Sequence, residues 1–356
     1  GPLYWCHNGS SNFNTAANWN TNSDCTSGTA QVPSGGEDLV FLTTGLSADV
    51  TINNDIPSLS VNTITFQGTG THNVTLTGNA LTVAGGTITD NAASGGIMGI
   101  ENSLTLGATT TVTSAASTNL MLGDSVSSGT LSGGTFNLSL VGTGAIDVYD
   151  VISGSGSITT SGAVDFNNAN TFTGSLEVQS GTLDANNSVT ALGTAAGSTK
   201  IDAGATVAFY LGNAHTFTIA EPFDITPGPS GHSLSVQTCN TSGCTPATEF
   251  DFTGDITLHG NTEIQLLGAS SSFVARFIGD ITGGTLSKST GSTGALAFGA
   301  ATSSSSSSSS SSKKTPKTPD TGFGLVTASP IVAALVSFAV TGSLVVMARH
   351  LKPIAK

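Results

Sequence analysis

Val74-Thr75-Leu76-Thr77-Gly78-Asn79-Ala80-Leu81-Thr82-Val83 contains the unit from which most of this chain is built. Two triplets alternate apolar, hydroxyl, apolar, which is the period of a half-buried strand. The Gly-Asn-Ala between them is turn chemistry. The triplet recurs as Val50-Thr51-Ile52, Leu104-Thr105-Leu106, Leu138-Ser139-Leu140, Leu176-Glu177-Val178 and Ile256-Thr257-Leu258. No stretch before about residue 325 has helical periodicity. Strands of three to five residues are short for a hairpin sandwich. They suit a β-solenoid, in which each coil pairs with the coils above and below and one side of every strand faces a shared core. Gly and Asn supply the corners. Coils of roughly 20 to 25 residues over residues 46–300 predict about ten to thirteen rungs, a rod of about 50 to 60 Å.

Residues 1–45 differ from this pattern. They hold both tryptophans, Trp5 and Trp19, and the pair Cys6 and Cys25. They read as an N-terminal cap over the open end of the core, with a Trp-lined sugar site as the functional rival. Cys239 and Cys244 form a second close pair. An even count in an exported chain predicts two disulfides, and proximity favours the local pairing. Zinc would need all four sulfurs to meet, and there is no C-x-x-C. An exported chain also needs a leader, so Gly1-Pro2 reads as a processed or trimmed start.

Charged residues make up 9% of the chain, far below a typical cytosolic enzyme at about 25%. Before Lys313 the basic residues are Lys200, Arg276 and Lys288, against 21 acidic ones. Such a surface argues against nucleic acid, whose phosphates need Lys and Arg. Simple solubility accounts for the acidity; calcium is the sharper reading, but no D-x-[DN]-x-[DN]-G loop is present.

Residues 151–192 carry Val-Ile-Ser-Gly-Ser-Gly-Ser-Ile-Thr, then Asn170-Thr171-Phe172-Thr173-Gly174, then Val178-Gln179-Ser180-Gly181-Thr182-Leu183, and then Ala191-Leu192-Gly193 at the end. This resembles the autotransporter-associated β-strand repeat of bacterial surface passengers, whose pattern runs I-x-G-x-G, N-T-[YF]-T-G, V-x-x-G-T-L, A-L-G. The opening, with Trp, Asn-Trp and a Gly-Glu-Asp strand, is similar to the start of such proteins. The resemblance implies an all-β, right-handed parallel β-helix outside the cell. No C-terminal outer-membrane barrel follows, so autotransport itself is not implied.

After Ala300 the composition breaks. Residues 301–319 hold an unbroken Ser303–Ser312 run and then Lys and Pro, and read as a disordered linker. Residues 323–348 contain no charge, long enough for one transmembrane helix. Arg349, Lys352 and Lys356 in residues 349–356 make that tail cytoplasmic and leave the rod outside. Thr318, Pro319, Asp320, Thr321 and Gly322 precede the span. Motif, apolar segment and basic tail together are similar to a sortase signal of the L-P-x-T-G type. That resemblance implies a transpeptidase partner cutting between Thr321 and Gly322, with Thr318 in place of the usual Leu. A plain membrane anchor preceded by a turn is the alternative.

A search for chemistry finds no assembled site and no cofactor. Lyase action on acidic sugars needs a basic residue, and Arg276 is the sole arginine before the linker. Paired carboxylates for glycoside hydrolysis could be sought in Asp147 with Asp150 or Asp251 with Asp255, which read as turn and surface residues. His7, His72, His215, His232 and His259 show no metal spacing, and Gly283-Gly284 is a turn. The expectation is a non-enzymatic surface module, an adhesin or stalk, anchored to the membrane or cell wall. The alternatives are a self-assembling envelope protein and a polysaccharide-degrading β-helix, which convergent carboxylates would favour.

Overall fold

The computed structural model describes residues 1–300 except 94, 116–117, 230, 240–243 and 269–272. The expected linker (301–319), the Thr318–Gly322 motif, the expected transmembrane helix (323–348) and the basic tail (349–356) lie outside the described residues. Among the described residues no helix is long and apolar enough to cross a membrane.

The chain is a parallel β-solenoid of about ten turns. Each coil visits three sides, here called A, B and C in chain order. One coil runs through Leu104–Leu106 on side A, Thr110–Ser114 on side B and Asn119–Leu122 on side C. Nearly every pairing is parallel and in register, as in Val50 with Val74 and Leu76 with Ile100. The expected triplets are strands, but some run much longer. Leu81–Ala92 spans twelve residues because it turns from side A to side B without breaking. Its neighbour Leu59–Gly68 does the same, with a bulge between Val61 and Thr63 taking the corner. Coils are also less uniform than expected. Register partners lie 18 residues apart at Ala145 and Ala163, and 30 apart at Leu234 and Ile264.

Alternation sends Ile64, Ile88, Val112, Leu140 and their equivalents into one continuous core. Trp5, Phe13, Trp19 and Phe41 cluster at the N-terminal end, where Phe41 stacks on Phe66 of the next coil. Trp5 and Trp19 are 2% and 1% exposed. Neither offers a face to a sugar, which removes the Trp-lined site. Cys6–Cys25 and Cys239–Cys244 are both disulfide-bonded. Closing the first loop of 19 residues contributes on the order of 3 kcal/mol. Reduction is therefore expected to speed hydrogen exchange in Pro2–Trp5 and Trp19–Asn20 far more than in the coils beyond.

The Asn-Thr-Phe-Thr-Gly stretch has a direct physical reading. Asn170 is buried and stitches three coils: its Oδ1 accepts from Ile152 N–H, and its Nδ2 donates to the Ala191 carbonyl. Phe172 fills the core. A Cβ on Gly174 would fall 1.9 Å from the Gly156 carbonyl oxygen, so only glycine allows the coils to stack there.

Candidate functional site

Three segments on side C share a pattern: Ile146-Asp147-Val148, Val164-Asp165-Phe166 and Leu183-Asp184-Ala185. The flanking apolar residues point inward and are buried, so the aspartates point outward. Register places Asp147 beside Asp165 and Asp165 beside Asp184. The result is a ladder of carboxyls on three consecutive rungs. Small residues, Ala145, Ala163 and Thr182, line one flank. Tyr149 and Tyr210 stand on the other, with Asn167 and Asn186 between them.

The electrostatics are unusual. Asp147 and Asp184 are 3% and 8% exposed. Asp165 stands between its two neighbours in register, and burial together with the charges of Asp184 and Asp147 holds its carboxyl well above the usual range. Burial raises Asp184 to about 6. Burial, then the nearby aspartates, pushes both tyrosines up to about 12. Among the described residues no Lys or Arg pairs with the ladder; the ion pairs of Lys200 and Arg276 are with other acids. The Asn119 Nδ2 donates to Asp147, while Asn119 Oδ1 and Asn186 Oδ1 have no partner. A protonated Asp165, able to donate its single O–H to one neighbouring carboxylate, is what this arrangement stabilises.

Adjacent carboxyls on paired strands stand about 5 Å apart at the backbone and the outer two about 10 Å. Those separations bracket the ones used in glycoside hydrolysis. Access decides against an open cleft, because two of the three side chains are sealed from solvent.

The pairs suggested by sequence are not brought together. Asp150 is buried on its own, accepting the Gly129 N–H at 2.8 Å, and burial raises it to about 6. Neither Asp147 nor Asp150 is the surface residue expected, since both side chains are buried, although Asp150 does lie at the bend between Leu138–Val148 and Val151–Ser153. Asp255 is a surface residue, accepting the Asp280 N–H. Asp251 instead faces Arg276, which also binds Glu249 at 2.8 Å. Two carboxylates therefore occupy the only arginine among the described residues. His72 contacts Asp49 and His259 contacts Asp224 on different rungs. Among the described residues no three His, Cys, Asp or Glu side chains converge as a metal site. The ladder was legible as apolar-Asp-apolar recurring after 18 and 19 residues, a signal visible only once the coil length is known.

No protein-family model matches this chain, and no curated protein or solved structure is similar to it.

Proposed function

We propose that this chain is a cell-surface-anchored, non-enzymatic β-helix display protein, an adhesin or stalk. The observation that carries the reading is that the Asp147–Asp165–Asp184 ladder lies in a regular outer surface with its two outer carboxyls buried and its middle one half-buried, not in an open cleft. Disulfides and the scarcity of charge fit an extracellular setting. Residues 318–322, 323–348 and 349–356 then act as one anchoring unit, cut between Thr321 and Gly322 by a sortase-like transpeptidase, and the Ser-rich linker holds the rod off the envelope. Mature surface protein ending at Thr321 would support that cut; an intact Lys356 in all of it would leave the plain membrane anchor.

The Asp147–Asp165–Asp184 ladder favours a second reading, a glycan-processing β-helix. The two are separated by incubating the protein with neutral and uronate polysaccharides at pH 4.5 and pH 7. The display reading expects no new reducing ends and no unsaturated products. Turnover abolished by Asp165→Asn, or by Arg276→Ala on uronates, would replace it with the enzymatic one.

A further inference from the structure

Side B carries an ordered two-column array in which every position but Val141 bears a hydroxyl. In the first column Thr63, Thr87, Thr111, Ser139 and Thr159 are successive register partners. In the second, two residues along each strand, Thr65, Thr89, Thr113, Val141 and Ser161 are partners in the same way. Three consecutive rungs thus read Thr-x-Thr, with Ile64, Ile88 and Val112 locked in the core between the columns. That lock fixes the height and tilt of each threonine. β-branching further restricts the χ1 angle, so methyls and hydroxyls repeat with little disorder. Among the described residues the Thr63 hydroxyl alone in this Thr-x-Thr block is drawn to a side-chain acceptor, Asp38 at the array's edge.

The spacing is set by the backbone. Rungs repeat at about 4.8 Å, and two residues along a parallel strand cover about 6.6 Å. The a and c repeats of hexagonal ice are slightly shorter and slightly longer than these two lengths. Charge points the same way. The body of the chain carries 21 acids, yet no acidic or basic residue stands in either column from Thr63 to Ser161. An uncharged lattice suits this face, whereas ions and charged polymers suit the rest. No aromatic ring stands in the columns to stack on a sugar, which disfavours crystalline polysaccharide.

We infer that side B, centred on Thr65, Thr87, Thr89, Thr111 and Thr113, is an ice-binding face. Its methyls and hydroxyls order a sheet of water whose pattern merges with the crystal surface. In a surface-anchored chain this would hold the cell to ice or stop crystals from coarsening at its envelope. The inference is independent of whether the protein is an adhesin or an enzyme.

The test is inhibition of ice recrystallisation by the full chain, together with retention on a cooled ice surface. Wild type is expected to inhibit crystal coarsening. Thr89→Tyr, a bulky ring at the centre of the array, should weaken the effect at least about tenfold. Thr111→Tyr, at an exposed position, should do the same if Thr89→Tyr folds poorly. Thr105→Tyr on side A should leave it unchanged, and circular dichroism should find all variants folded. Three results would overturn the inference: no inhibition by wild type, equal loss with Thr105→Tyr, or an array-dependent binding to cellulose or chitin in place of ice.

Discussion

The melting temperature is expected to rise by on the order of 10 °C when the pH is lowered from 8 to 4.5. The cause lies in buried acids without cations. Burial raises Asp90, Asp150 and Asp184 to about 6, and Glu221 to about 7. In the unfolded chain these groups titrate near 4. Their folded values are higher, so the native state binds more protons between about pH 4 and 7. Stability is therefore full below the unfolded values and is lost as the pH climbs through the folded ones. For Asp90, Asp150 and Asp184 the difference across this range is about 2 kcal/mol each. Glu37, held low by hydrogen bonds from Ser34 and Gly35 that outweigh its burial, works in the opposite direction only at more acid pH. Asp165→Asn keeps the shape of the ladder's middle rung and removes its ionisable proton. That variant should melt higher than wild type at pH 8 and gain less on acidification. A melting temperature that stays flat or falls toward pH 4.5 would contradict this account.

Gly162→Val is expected to cost more than about 4 kcal/mol, the largest effect of any single substitution proposed for the coils. Gly162 has φ of +76°, and a Cβ there would lie 2.1 Å from the Gly142 carbonyl oxygen. Gly181, with φ of +70°, sits against Gly162 in the same way. The three glycines form a stack at the corner between sides B and C, directly before the rungs that carry the aspartates. A valine would clash with backbone on one side and adopt a strained conformation itself. Because each coil leans on its neighbours, the damage should spread along the axis. Differential scanning calorimetry should find a split or strongly lowered transition. Ala163→Ser, one residue on and outward, should be nearly silent.

The architecture was legible because the core follows a period of two, and that period is written plainly in Val-Thr-Leu and Leu-Thr-Val. Corners were harder to read. A strand that bends at a bulge, as at Val61 and Thr63, carries no sequence mark that separates it from two strands and a turn. Coil length varied for the same reason, since loops at corners accept insertions that the strands do not. The aspartate ladder was hidden by distance. Asp147 and Asp150 are close in sequence and suggest a pair, but residues three apart along this chain leave the strand and part company. Asp147 and Asp165 are far apart in sequence and adjacent in space. Both disulfides could be read directly, because their partners are separated by only 19 and 5 residues.

Under a pull at its C-terminal end, a rod with coils of unequal length would lengthen in unequal steps. Its ladder hydrogen bonds run along the rod, so a pull on the last strand, Ala295–Phe298, opens them one coil at a time and never all together. Each coil freed adds roughly 60 to 110 Å of slack for 18 to 33 residues of chain. The terminal coils, 21 to 25 residues each, yield first, and the 33-residue coil between Thr216 and Glu249 gives the largest single step. The short coils around the glycine stack follow with the smallest steps, while the N-terminal half is still folded.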